Sequence, residues 1–547
     1  MALLLGLVLV SCSDSVGPEP PLDCSDASTE VLGVGEHRIL DYSEQGACVR
    51  LPAAGPGGAE HLYIALATAG EEAPNGVSSP YLLSGVSAAA AVALPALPAP
   101  VLSAFQRPLR PQTFHRVLRA RERALAEDVS GVLFNRGRVD VAEASPRVLG
   151  EQRSFNVCSS SECDAFVQTT ATARSIGERV AIYVDNSAPL GGYTDPDLDR
   201  VRTLFDQHLY RIDTTAFGRE SDIDGNGVVV VLLTQLVNAL SQNCAAGEIV
   251  LGYFFGADLL PPSSSNPGSN QGEVFFGLVP DPNNPDCAIS TAEANSYLPS
   301  TFIHEFQHMI SFNQHVLVRR GRVEDTWLNE GLSHFAEELG GRLVPDTECP
   351  TSGSCAQDFL SGDLLNAFAY LRSPEGFYLI PPTDNVSPQL EERGAEWLFV
   401  RWLVDNFAST PTLGTDLTKA LLATNQVGSA NVAARTGVDF STLVGEWQLT
   451  NYLDDLPGFS APASRLTYTS WNFRLAADTN EQAFPLVPDN TSGSDYGHSG
   501  TLRAGSGQHV LITQAASAPG VDLRLTNTTG GALPSSIEPR IALVRIR

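Results

Sequence analysis

"TFIHEFQHMI", residues 301–310, sets two histidines four apart with a glutamate directly after the first. On a helix, His304 and His308 lie one turn apart on one face, so both imidazoles can reach a single ion. Glu305 is turned about 100° from His304. That places its carboxylate beside the ion, where it can take a proton from a water molecule. Zinc suits this donor set, because it polarises a carbonyl and lowers the pKa of water toward ~7. The pattern needs a third protein ligand and an open fourth position.

Three third ligands are weighed. A further histidine six residues after His308, with glycine three after it, is excluded because Gln314 and Ser311 stand there. His315 falls on the same face, but about 10 Å along the helix axis. Glu330 lies in "TWLNEGLSHFAEEL" (326–339), on the next predicted helix. A helix pair joined by a loop can return its carboxylate to the same ion.

"HEFQH" followed by "WLNEGLSHFAEEL" resembles the gluzincin branch of the zincin metallopeptidases and is most similar to the hyicolysin-type family. The likeness extends over "DIDGNG", "GYFFGADLLPP", "GEVFFGLVPDP" and "SGDLLNAFAYL", across roughly residues 150–460. It implies an α+β fold with a zincin-like domain, His304, His308 and Glu330 as zinc ligands, and Glu305 as general base. The Gly-x-Met-Glu-Asn segment of aminopeptidase gluzincins has no counterpart in residues 240–300, so the expected activity is endopeptidase. Two positions depart from the pattern or stay open. His334 stands where thermolysin-like relatives carry the Asp that orients a ligand histidine; Glu337 or Glu338 is expected to replace it. The oxyanion-stabilising residue is open among His334, Tyr370 and Tyr378.

The whole chain sets the context. It has 547 residues, a net charge of −28, 43% hydrophobic and 18% charged residues. That is a folded, several-domain composition. Its acidity argues against nucleic acid, whose phosphates require clustered Lys and Arg. "MALLLGLVLVSC" carries an apolar run too short to span a bilayer, and Leu9-Val10-Ser11-Cys12 resembles a bacterial lipobox. A signal peptide at 1–11, lipidation of Cys12 and a tether at 12–23 are therefore expected. So is export to the bacterial cell envelope or medium, with the lipid as the only membrane contact. The other eight cysteines are disulfide candidates whose connectivity the sequence leaves open; sequence neighbours pair naturally as Cys24 with Cys48, Cys158 with Cys163, Cys244 with Cys287, and Cys349 with Cys355. An oxidising compartment accounts for that even set.

Between the tether and the metal domain, period-two runs broken by Gly and Pro predict a β-sandwich-like module at 24–86. An Ala/Pro-rich linker and a helical segment fill 87–150. Alternating strands and helices mark the metallopeptidase domain at 151–460, and 461–547 read as a C-terminal β-module. Within the central domain "EVFFGLV" (273–279) is the expected edge strand for adding a peptide substrate. Asp222, Asp224 and Asn226 suit a Ca2+ loop, but the twelfth position is Leu233, so a turn feeding a strand is preferred. The expected function is a zinc endopeptidase acting on protein or peptide; the alternative is an inactive scaffold that serves as a surface binding or adhesion protein.

Overall fold

The computed structural model describes residues 24, 27–85, 112–133 and 147–547, less 242–243, 245–248, 350–352, 384–388, 412, 462–463, 480–482 and 494. The expected signal peptide, the tether with Cys12, and 87–111 of the linker lie outside the described residues. In chain order β1 (His37–Asp41), β2 (Cys48–Leu51), β3 (Ala59–Ala67) and β4 (Ser78–Gly85) precede helix α1 (Gln112–Leu133). Then come β5 (Gln152–Cys158), β6 (Phe166–Ile176), β7 (Val180–Asp185), α2 (Asp195–Leu204), α3 (Tyr210–Ala216), β8 (Val229–Leu233), α4 (Gln235–Asn238), β9 (Gly252–Phe254) and β10 (Val274–Gly277). A helical run follows: α5 (Thr291–Phe312), α6 (Thr326–Leu343), α7 (Cys355–Leu371), α8 (Leu390–Phe407), α9 (Thr415–Leu422), α10 (Gly428–Thr436), α11 (Phe440–Leu453) and α12 (Phe473–Thr479). Last are β11 (Asp489–Thr491), β12 (Gly497–Arg503), β13 (Ser506–Gln514), β14 (Val521–Thr526) and β15 (Pro539–Arg545). The architecture is mixed α+β.

The central sheet has the order β5-β6-β7-β8-β10-β9. β7, β8 and β10 run parallel, and their residues are almost all buried, as strands covered on both faces must be. The stretch expected to be the edge is therefore interior: β10 sits between β8 and β9. The edge is β9, antiparallel to β10 and only three residues long. An apolar run buried on both sides carries no sign of an edge, and three residues are too few to show a period of two.

α5 begins with a reciprocal cap between Ser290 and Glu293, then turns its aromatic residues onto the sheet. Phe302 stacks on both Phe275 and Phe205, with ring centroids 5.0 and 4.2 Å away. α6 packs between α5 and α8. Gly331 allows this, since a Cβ there would stand 2.7 Å from the Glu396 carbonyl oxygen of α8. The glycine after Glu330 is thus a close-approach residue, and it fixes how far α6 can be drawn in.

The two β-modules expected at 24–86 and 461–547 are one sandwich. One sheet is β1-β15-β3-β13-β11 and the other is β12-β4-β14-β2, so each is woven from both ends of the chain. β3 pairs on either side with β13 and β15, giving every long strand of the N-terminal segment a C-terminal neighbour. Their shared core includes Tyr63, Leu83, Leu523 and Leu543. α11 rests on this sandwich through Leu449 and Leu453 against Leu62, Ile64 and Leu66. Disulfides join Cys24–Cys48, Cys158–Cys163, Cys244–Cys287 and Cys349–Cys355. Among the described residues no helix is long and apolar enough to cross a membrane.

Candidate metal centre

α5 and α6 bring His304, His308 and Glu330 together. The two Nε2 atoms are 3.2 Å apart. His304 Nε2 lies 3.4 Å from one oxygen of Glu330, and His308 Nε2 lies 3.4 Å from the other. Ligand atoms about 2.0–2.1 Å from a tetrahedral ion stand roughly 3.3–3.4 Å from one another. The separation of the two Nε2 atoms matches an edge of such a tetrahedron, and each has a different carboxylate oxygen of Glu330 3.4 Å away, so the donor set suits a metal ion of that size.

The far side of each ring fixes its lone pair. His304 Nδ1 lies 2.8 Å from Glu337 Oε1, which holds the proton on Nδ1 and frees Nε2. Ser333 Oγ lies 3.1 Å from His308 Nδ1 and 3.3 Å from its Nε2, and that hydroxyl donates to Gln307 Oε1. Arg393 of α8 stands 3.3 Å from Glu330 Oε2. Burial pushes the Glu330 carboxyl up, but Arg393 and His308 outweigh it and hold it well below the usual range. Burial, with the Arg119 charge, lowers His308 to about 3, leaving it a neutral ligand.

The structure separates the two acids left open beside His334. Glu337 faces α5 and bonds His304. Glu338, one residue on, faces away into α8 and takes hydrogen bonds from Arg342, Trp397, Arg401 and Trp471. His334 lies 3.0 Å from Glu337 and 2.8 Å from Asp363 of α7. Burial opposes its charge, yet those two acids raise it to about 10. Its ring centroid is 4.9 Å from that of His304. The other two oxyanion candidates are engaged elsewhere: Tyr370 accepts from Gln448 at 2.8 Å, and Tyr378 lies under the Arg503 guanidinium.

Glu305 is buried beside the histidine pair. Its Oε2 accepts from the backbone N–H of Phe254 in β9 at 2.9 Å, and its Oε1 is 3.6 Å from His115 of α1. Burial raises its carboxyl above the ordinary range. α5 continues into a π-helical turn, Asn313–Val318, where His315 faces Glu324 at 3.4 Å. Arg393, Asp363 and His115 escaped the sequence reading, since each reaches the centre from a separate element with no motif of its own, and Ser333 did so because nothing local says which way it faces on α6.

The acidic loop behaves as a turn. Asp222 accepts from Gly227 N, Asp224 from Asn226 N and Asn226 from Val228 N, in self-bonded turns leading into β8. Glu273 joins them, accepting from Ser221 and the backbone of Ile223. Arg147 and Arg153 stand 3.6 and 3.8 Å from Asp224.

No family model matches this chain. A neutral metalloprotease, ShpI of Staphylococcus hyicus, is 27% identical over 178 residues. The match takes in 31% of this chain and spans about a third of that relative, 36% of its length. A distant homologue of this chain is thus a metalloprotease, and the chain holds a His-His-Glu cluster that suits a metal ion.

Proposed function

We propose that the chain is a zinc-dependent endopeptidase of hyicolysin type, with His304, His308 and Glu330 as ligands and Glu305 as general base. The observation that carries this is the convergence of three buried donors, His304, His308 and Glu330, with a carboxylate on the residue adjoining His304. A zinc ion held there would supply Lewis acidity to a peptide carbonyl and to water. Glu305, its carboxyl raised by burial, takes the proton from the attacking water and hands it to the departing amine. Glu337 keeps His304 in the tautomer that presents Nε2. Arg393 and the histidines keep Glu330 ionised.

The zincin-like fold and the domain at 151–460 belong to the same reading, as does export with a lipid on Cys12. The lipobox-like Leu9–Cys12 and the four disulfides support that location. An inactive binding scaffold would be expected to have lost a ligand or the base, and all four residues are in place. The test is Glu305→Gln introduced into the form of the chain, intact or cleaved, in which the wild type hydrolyses casein. Zinc content is expected to stay at about one per chain, while casein hydrolysis falls by ~10²–10⁴-fold. A variant that hydrolyses casein like the wild type would remove Glu305 from the mechanism.

A further inference from the structure

α1 lies across the candidate site, packed into the central core through Phe114, Leu118, Leu125 and Ala126. His115, Arg119 and Glu122 fall four and three residues apart, on one face of the helix. His115 meets the general base, as described above. Arg119 donates to the backbone carbonyl of Phe254, and Glu122 accepts from the backbone N–H of Gly256. Phe254 ends β9, and Gly256 opens the short 3-10 turn after it.

Those backbone groups are significant because β9 is a sheet edge. In an antiparallel pair, alternate residues turn both N–H and C=O away from the partner strand. Phe254 does so: its N–H goes to Glu305 and its carbonyl to Arg119. They are the groups an extended peptide would use to add itself to the sheet. α1 takes the Phe254 carbonyl through the Arg119 guanidinium and, two residues on, the Gly256 N–H through the Glu122 carboxylate, while the Phe254 N–H is held by Glu305 of α5.

The seal is close. His304 is 5% exposed, Glu305 1%, His308 0% and Glu330 4%, so no peptide chain reaches them while α1 is in place. Phe114 packs edge-on against Tyr253 of β9. Around the rim, Arg116 bonds Glu392, Arg123 bonds Glu72, and Asp128 accepts from Ser265. Arg119 and Glu122 form a buried ion pair at 2.9 Å. Buried ion pairs add little to stability compared with apolar packing. α1 is anchored in the central core by Phe114, Leu118, Leu125 and Ala126, and it is its polar face, His115, Arg119 and Glu122, that meets the base and the backbone at the end of β9.

We infer that α1 is a built-in plug that occupies the peptide channel along β9 and keeps the chain latent until α1 is displaced or cut out. The inference rests on the endopeptidase reading and adds its regulation. The sandwich makes the device local. β1–β4 are held by β12–β15, so cutting on both sides of α1 frees the helix and leaves those strands in place.

The experiment uses the full chain with recognition sequences for a site-specific protease placed within 87–111 and 134–146, cut after folding. The probe is a dipeptide hydroxamate, which binds an accessible zinc without turnover, and zinc content is measured in parallel. The doubly cut protein, separated from the 112–133 fragment, is expected to bind the hydroxamate at least ~10-fold more tightly than the intact chain. The uncut Arg119→Ala/Glu122→Ala double variant is expected to shift in the same direction. Equal affinity in intact, cut and variant proteins, each holding one zinc, overturns the plug and leaves the peptidase reading standing. Tighter hydroxamate binding after cutting, with no casein hydrolysis, supports the plug and overturns the peptidase reading. Absence of zinc from every form overturns both.

Discussion

Among the described residues, metal-binding side chains gather in threes within 4.8 Å around the histidine pair, as His304, His308 and Glu330 and as His304, His334 and Glu337, and at the acidic loop, as Asp222, Asp224 and Glu273. They are built on opposite terms. In the first, every ring nitrogen that points away is tied to Glu337 or Ser333, so the remaining lone pairs converge on one another. In the second, the carboxylates serve the loop itself, accepting from its own N–H groups, while two arginines stand beside Asp224. Proximity of donors is common to both. What distinguishes the histidine site is that donors from two helices converge on one another with partners held behind them, whereas the loop's carboxylates bond the loop's own backbone.

That contrast can be broken most forcefully at Glu330. Glu330→Gln removes the anionic donor and leaves the Arg393 charge uncompensated, so zinc affinity should fall by well over the ~10–100-fold typical of outer residues. Competition with a chelator measures it; an unchanged affinity would mean the ion is held elsewhere. Glu337→Gln is next in size. It keeps the contour but weakens the hold on His304 Nδ1, and a loss of ~10–100-fold in zinc affinity or activity is expected, with Tm little altered. The same substitution at Glu338 should instead lower Tm, because four donors lose a charged acceptor, and leave zinc affinity alone. Smallest is Asp222→Asn with Asp224→Asn. Asparagine retains an oxygen for the turn, so stability should move by less than about 1 kcal/mol. Zinc content should not change, and added Ca2+ should not raise the Tm of the wild type. A calcium-dependent Tm would show that the acidic loop binds an ion after all.

The sequence made the centre legible to different depths. His304, Glu305 and His308 are readable because four residues make one helical turn, a local rule that needs no tertiary information. Glu330 needed the resemblance, since nothing in the 21 residues between His308 and Glu330 states that two helices meet. Glu337 and Glu338 were inseparable for a simple reason. Adjacent helical residues point about 100° apart, and only the placement of α5 and α8 says which acid faces which. The sandwich was misread for a related cause. His37 pairs with Val544, a contact no local pattern records. Each half showed strand alternation, and two modules were the natural count. α1 was legible as a helix, but His115, Arg119 and Glu122 look like a solvent-facing stripe until the helix is seen lying on β9.

The sandwich also changes how the N-terminal half should be handled. A chain begun near residue 150 would lose β1–β4 from both sheets along with α1, mixing unfolding with unmasking. Excision confined to α1 separates the two effects.

The central claim is tested most directly by anomalous scattering at the zinc edge from crystals of the full chain. The account predicts one peak about 2.0–2.2 Å from His304 Nε2, His308 Nε2 and a Glu330 oxygen, and none at Asp222, Asp224 and Glu273. A peak at the acidic loop alone, or none in zinc-saturated protein, would contradict it.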